Sequence, residues 1–318
     1  MAEYNPWMHR YAVFVACATL VLIYVGGLVT STGSGLAVPD WPLSFGQFFP
    51  PMVGGVLYEH GHRLYAATIG LLTIALAVWL SLREPRRWVR RMAWLALLAV
   101  VCQGLLGGMT VLLRLPDAVS ISHAAVAEIF FCLTVAIALV TSKRWIEESP
   151  RLQDAGSPPL RLLAGATTAV IYCQILLGAL VRHTESGLAI MDFPLAYGRL
   201  IPPFHTHQVA IHFAHRVGAL VVTIFVIWLV SATLRRHGAE RVLRRPAIVL
   251  ALALAVQIYL GAETVWSSRA TILTTFHVAG GAFTLATSLF LALSAGRVLQ
   301  PRRSASTVTA ARAGAAAA

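Results

Sequence analysis

Charge is scarce in this chain. Only 12% of its 318 residues are Asp, Glu, Lys or Arg, against roughly 25% in a soluble domain, which excludes an ordinary soluble globule. Cysteine is scarce too: Cys17, Cys102, Cys132 and Cys173 all fall inside apolar runs, where the residue is mostly a small buried hydrophobe. With no thiol in a loop, neither a disulfide framework nor a thiolate metal centre is expected. A cleavable leader is not expected either, because the short polar lead to Arg10 runs into an apolar stretch from Tyr11 to about Val29, long enough to span a bilayer at roughly 20 residues. Lys and Arg are missing between Thr32 and Tyr58. That gap matters because the net charge is +12, a value that would suggest nucleic acid in a soluble protein.

What is present is apolar: 58% of residues and a mean hydropathy of +0.73. Eight apolar segments can be read, at about 11–31, 60–82, 92–113, 119–141, 162–181, 207–234, 247–266 and 271–293. In lipid each backbone group must be satisfied within its own segment, so all eight are expected to be helices. The basic residues collect in alternate connections: Arg83, Arg86, Arg87, Arg90 and Arg91, then Lys143, Arg144 and Arg151, then Arg235, Arg236, Arg241, Arg244 and Arg245, and finally Arg297, Arg302, Arg303 and Arg312. The positive-inside bias therefore puts both termini in the cytoplasm and turns loops 32–58 and 182–206 outward. The basic charge is accounted for by topology, and no nucleic-acid partner is expected.

The chain repeats itself. Positions 26–51 match 178–203 at 14 of 26 residues, among them Gly26/Gly178, Asp40/Asp192, Pro42/Pro194 and Pro51/Pro203. Gln103 and Gly107 recur as Gln257 and Gly261, and His123 recurs as His277, at an offset of 154. An even number of helices separates the copies, so they share one topology, related by an axis along the membrane normal. The expected fold is all-α and integral to the membrane: eight transmembrane helices as two pseudo-symmetric four-helix bundles. Residues 1–141 form the first half, 142–160 a cytoplasmic linker rich in Pro and Gly, 161–296 the second half, and 297–318 a disordered tail of low complexity.

Four histidines recur in register and at one depth. His62 and His215, each followed by an arginine (Arg63, Arg216), lie near the outer ends of the second and sixth helices. His123 and His277 lie near the outer ends of the fourth and eighth. Any one of them alone reads as a satisfied interfacial residue. Two per half, duplicated, read as a metal or haem site, since two imidazoles on facing helices hold a haem iron from both sides. Zinc is the competing metal, and it lacks the usual third and fourth ligands in each half. Arg63 and Arg216 suit haem propionates by charge-assisted hydrogen bonds, or simply snorkel. His60, His183, His205 and His207 are expected to be solvated. Glu128 and Glu263 are intramembrane carboxylates without partners named by the sequence.

Glu59 is the asymmetric member. It precedes His62 by three residues on the same helix face, and its counterpart His212 is no carboxylate. It suits general acid–base work beside a haem edge, which would put a reaction in the first half; the plain alternative is a salt bridge to Arg63 four residues on.

These motifs together resemble the haem A synthase family, over about Tyr11 to Ala295: Gly26-Gly27-Leu28-Val29-Thr30, Thr32-Gly33-Ser34-Gly35-Leu36, Pro50-Pro51, Glu59-x-x-His62-Arg63, His123, His215-Arg216 and His277. The resemblance implies oxidation of the C8 methyl of haem O to the formyl of haem A, in a bacterial plasma membrane, for terminal oxidase assembly. It implies haem O as substrate in the first half, held by His62 and His123, with Glu59 needed for turnover. A haem b cofactor in the second half would be held by His215 and His277. It further implies delivery of haem O by haem O synthase and a membrane electron carrier, and leaves a homo-oligomer open. Many relatives carry a cysteine pair in the first outer loop, and here Val38 to Ser44 and Ile190 to Ala196 have none, so no thiol-dependent step can operate. The aromatic-Pro-Leu core of each loop is expected to form a lid over its pocket. The rival reading is a bis-His dihaem electron-transfer cytochrome without a substrate. A parallel-repeat transporter would place its polar residues near the midplane, and a haem prenyltransferase would show Asp-rich motifs that are missing here.

Overall fold

The computed structural model describes residues 3–147, 152–154 and 156–301. Helix α1 (Pro6–Ser31) starts where the Asn5 side chain accepts the N–H groups of Trp7 and Met8, both at 3.1 Å, with Pro6 at the first helical position. That combination satisfies orphan donors and presets the backbone. Helix α2 (Gly55–Arg83) opens behind Gly54, whose φ of +57° suits glycine. Helices α3 (Arg87–Leu112) and α4 (Asp117–Val140) follow, then the short α5 (Lys143–Glu147) and strand β1 (Leu152–Asp154). After these come α6 (Leu160–His183), a 3-10 turn (Ser186–Leu188), α7 (His207–His237), α8 (Arg241–Trp266), α9 (Thr271–Val298) and strand β2 (Leu299–Pro301). Eight of these helices are long and apolar enough to cross a membrane, so the chain is a multi-pass integral membrane protein.

The two tight connections at one end are built alike. Between α3 and α4, Arg114 and Leu115 both sit at φ +59°; between α8 and α9, Ser268 and Arg269 sit at +54° and +69°. Leu115 N–H donates to Thr110 O at 2.6 Å, and Arg269 N–H to Thr264 O at 2.8 Å. Side chains seldom enter this backbone region, so its use at matching repeat positions is a structural copy as well as a sequence copy.

Helices α1, α4, α6 and α9 meet in the middle, and α2, α3, α7 and α8 lie outside them. One apolar core joins Met8, Val15, Ile69, Leu76, Leu80 and Phe130; another joins Leu163, Ile171, Val226, Leu229, Leu250 and Leu285. Phe131, Ala282 and Ala286 bridge the two. On α2 the core begins at Ile69, seven residues beyond His62, or about 10 Å along the helix. The two large cores thus lie deeper than the histidines, and a smaller cluster of Ile190, Ala196 and Val209 lies on their outer side. At their level α1 and α9 touch through small residues: a Cβ added to Gly27 would stand 3.2 Å from Thr275 Cγ2. Thr275 Oγ1 donates to Ser31 Oγ at 3.0 Å, and Arg182 of α6 donates to the same hydroxyl at 2.8 Å and to Gly27 O at 3.3 Å.

Two segments and the cysteines differ from the sequence reading. The segment expected as a bare linker holds α5 and β1. The first residues of the expected disordered tail are ordered: α9 runs to Val298, and β2 pairs parallel with β1, Leu152 opposite Leu299. The pairing is local, made because both strands emerge at the same end; the remainder of the tail, 302–318, lies outside the described residues. Finally, Cys17, Cys102 and Cys173 are exposed and Cys132 half-buried, all unpaired. On a lipid-facing helix surface an apolar thiol has no need of burial.

Gly27→Leu should push α1 from α9 at the level of Thr275. Overpacking typically costs about 1–3 kcal/mol, so the detergent-solubilised protein should melt several degrees lower; an unchanged melting temperature would show that this contact does not join the two sets of helices.

Candidate functional site

Each of the four repeated histidines lies against a glycine of the helix before it. A Cβ built on Gly26 would stand 3.0 Å from His62 Cε1, and one on Gly107 3.1 Å from His123 Cε1. The same distance is 3.2 Å for Gly178 and His215, and 3.2 Å for Gly261 and His277. The imidazole edge thus rests on bare backbone, at a spacing tighter than a real Cβ tolerates without the ring giving way. His62 on α2, His123 on α4, His215 on α7 and His277 on α9 all lie toward the helix ends from which the two long loops emerge. Within the protein, Nδ1 of His62 and of His123 is buried with no hydrogen-bond partner.

Above them the two long loops are folded alike. Asp40 accepts the N–H groups of Phe45 and Gly46 at 2.7 and 2.8 Å, and Asp192 those of Tyr197 and Gly198, both at 2.8 Å. Phe45 and Tyr197 adopt φ of +54° and +55°, followed by Gly46 and Gly198 at +71° and +70°. Trp41–Pro42 and Phe193–Pro194 are both cis. The main-chain N–H groups, Gly46 and Phe45 in one loop and Gly198 and Tyr197 in the other, hold both carboxyls below the usual carboxylate range. A depressed pKa means that the turns are held by ionised carboxylates at neutral pH and loosen only when acid brings the pH down through that lowered value. Trp41 reaches down onto α3, where a Cβ on Gly108 would stand 2.6 Å from its ring, next to the glycine that seats His123. Phe193 meets Trp266 of α8 edge-on, with ring centroids 6.0 Å apart.

A clamp ties each loop to the helix that carries its histidine. Arg63 donates to Asp40 O at 2.7 Å, Leu43 O at 3.1 Å and Val38 O at 3.4 Å, and pairs with Glu59 Oε1 at 2.6 Å. Glu59 is buried, and its Oε2 accepts Val38 N–H at 2.8 Å. In the other copy Arg216 donates to Ile190 O and Leu195 O, both at 2.9 Å. His212 Nδ1 accepts Ile190 N–H at 3.3 Å, and Arg216 Nε lies 3.4 Å from its other ring nitrogen. The salt bridge weighed against a chemical role for Glu59 is therefore present. His212 does stand in for the carboxylate as the acceptor that anchors the loop; only the negative charge is missing. Arg63 and Arg216, expected at propionates, spend most of their donors on loop carbonyls.

Other expected positions shift. His60 is buried, not solvated, and its Nδ1 is 2.7 Å from Ser44 Oγ; it is one more tie to the first loop. His183 is half-buried at the end of α6, while His205 and His207 are exposed as expected. Glu128 is buried with Oε2 unpartnered, and Glu263 is half-buried on α8. Sequence reasoning missed Gln174 and treated Gln257 only as a repeat marker. Both touch histidine: Gln174 donates to His215 O at 2.8 Å with its amide nitrogen 3.0 Å from Nδ1. Their spacing, four residues before Gly178 and Gly261, was the available signal.

The donor set suits a porphyrin iron. Imidazoles seated on glycine would supply two ligands per half, and among the described residues no three His, Cys, Asp or Glu side chains gather to hold a bare ion. Comparison with known proteins agrees. Residues 54–289 match the family model described as cytochrome oxidase assembly protein. The chain is similar to the Heme A synthase of Symbiobacterium thermophilum, 34% identical over 258 residues, 79% of this chain and 84% of that one. It is also similar to the Heme A synthase of Shouchella clausii, 30% identical over 278 residues covering 85% and 91% of the two chains, and to that of Alkalihalophilus pseudofirmus, 28% identical over 274 residues.

Gly26→Val and Gly178→Val should each displace one imidazole and lower the haem content of the purified protein by about half; full haem content in both would show that the glycine seats do not matter. Asp40→Ala should raise hydrogen exchange at the Phe45 and Gly46 amides by about tenfold or more at neutral pH, and unchanged protection would remove the carboxylate from the loop's support.

Proposed function

The chain belongs to the cytochrome oxidase assembly protein family that includes the haem A synthases, and on that premise we propose that it oxidises the C8 methyl of haem O to the formyl group of haem A. The observation that carries this reading is the pair His62 and His123, each seated on glycine, beneath a loop clamped by the buried Glu59–Arg63 pair. Haem O is the substrate of the first half, residues 1–141; His215 and His277 of the second half, 161–296, hold a haem b. The two halves are pseudo-symmetric four-helix bundles in a bacterial inner membrane, with both termini cytoplasmic and both haem sites toward the periplasm, as the basic connections require.

Taking a methyl to a formyl, with the oxygen counted as water, releases four electrons and four protons. The site therefore needs a group that accepts protons and a route for electrons. Bound haem b supplies one-electron chemistry, and a membrane electron carrier removes the charge. Glu59 is the proton acceptor: it is buried one turn from His62, and Arg63 and the Val38 N–H hold its carboxylate in place. Neutral imidazole is the form that binds iron. Arg63 and Arg216 hold the two loops over the histidines, through the carbonyls of Asp40 and Leu43 in one half and of Ile190 and Leu195 in the other. Haem O synthase supplies the substrate, and the product serves terminal oxidases.

The test is to express the protein with and without a haem O source and to chromatograph the extracted haems. Haem A should appear only with the source. Recovery of unchanged haem alone would leave the dihaem electron-transfer cytochrome as the better reading. Glu59→Ala should keep haem b and lower haem A yield by about 100-fold or more, the range for loss of a general base; undiminished product would take Glu59 out of the mechanism.

A further inference from the structure

The end of the molecule opposite the long loops carries a feature of its own. There α2 runs into α3, and Ser81, Arg87, Arg90, Arg91 and Trp94 line an open cleft of about 320 Å³, near the roughly 300 Å³ at which small-molecule clefts begin. Trp94 Nε1–H donates to Ser81 Oγ at 3.0 Å and ties the two helices together there. The nearby carboxylate is already taken: Glu84 holds Arg86 through Oε1 at 2.7 Å and Oε2 at 2.9 Å. Among the described residues, the guanidinium groups of Arg87, Arg90 and Arg91 make no hydrogen bond or ion pair. Nor do they help the helix they start, since cations sit poorly at a helix's first turn. The positive-inside bias explains why arginines gather in this connection, but not why they meet in a cleft. The repeat separates the two effects. Arg87, Arg90 and Arg91 recur at an offset of 154 as Arg241, Arg244 and Arg245, under the same topological demand. In that copy Leu234 and Ile248 stand where Ser81 and Trp94 stand. Arg244 donates to Gly238 O at 3.3 Å, and Arg245 lines an apolar groove with Pro246 and Phe283.

We propose that the cleft between α2 and α3 binds the phosphate of an anionic phospholipid, whose acyl chains lie along the apolar surface below it. Arginine suits the head group because its planar fork offers parallel donors to phosphate oxygens. A basic pocket between helices at the membrane surface is also where an anionic lipid is drawn. The same face of α3 that carries Arg87 and Arg91 continues through Trp94, Leu98, Val101 and Leu105, at steps of four and three residues. Those four apolar side chains are all exposed, as are Ile74 and Val78 on the face of α2 that carries Ser81. Trp94 marks the boundary between cleft and stripe, and an indole belongs in that interfacial layer. A free phosphate carries the same charge but leaves the stripe unused, so the stripe is what points to a lipid. The proposal stands apart from the haem chemistry and does not depend on it.

The full-length protein in dodecyl maltoside is titrated with dioctanoyl phosphatidylglycerol while its melting temperature is followed. Parallel titrations use dioctanoyl phosphatidylcholine and inorganic phosphate at the same concentrations. The anionic lipid should raise the melting temperature saturably, as a ligand of the folded state does, and the other two should not. Arg87→Gln, Arg90→Gln and Arg91→Gln combined should weaken the apparent affinity by about 100-fold, at roughly fivefold per arginine. The matching combination in the other copy, Arg241→Gln, Arg244→Gln and Arg245→Gln, should leave the affinity unchanged. If the first triple variant does not fold, Arg91→Gln alone decides, with binding expected to be about fivefold weaker. An equal response to inorganic phosphate would overturn the lipid as the ligand. Undiminished lipid binding in the first set of variants, or an equal loss in the second, would overturn the cleft as its site.

Discussion

An imidazole can lie flat against a neighbouring helix only where that helix has no side chain. This constraint shapes the end of the molecule where the loops emerge. Four times a glycine on one helix meets a histidine on the next, and four times the pair is adjacent in the chain order of helices. The contact sets the distance between helices at that level and fixes the height of each ring. The two large apolar cores lie deeper, where residues such as Ile69 and Leu229 fill the space between helices. Dense packing cannot coexist with a bound macrocycle in the same layer.

The loops are built on the same economy of repeated parts. One aspartate folds each loop upon itself, and one arginine ties it to the histidine's helix. The acceptor beside that arginine differs, Glu59 in one half and His212 in the other, yet both take the same main-chain N–H. The difference that remains is charge and proton capacity. A duplicated scaffold can therefore keep its mechanics while its chemistry diverges at few positions, and Gln174 against Leu22 marks a second place where the halves part.

Much of this was legible in the sequence. Eight spans could be read because bilayer length and apolar runs leave little choice, and the histidine pairs because the repeat placed them at one depth. The glycines of the repeat were visible, though their purpose was not: a glycine in an apolar helix signals close approach without saying to what. The loop contacts of Arg63 and Arg216 were not legible, because an arginine at a helix end has several partners within reach and only the loop's fold brings the carbonyls of Asp40 and Leu43 to Arg63. His60 was taken for a solvated residue because its partner, Ser44, is 16 residues away in sequence. The β1–β2 pair was hidden for a similar reason, since short strands with no periodicity form only when two chain segments happen to leave the bundle side by side.

The account stands on two histidine nitrogens at each iron. Electron–nuclear double resonance on the oxidised, haem-loaded protein, grown with 15N-labelled histidine, counts them directly. The account predicts two equivalent imidazole nitrogens at the iron of each half. A single histidine nitrogen at either iron, or none, would contradict it.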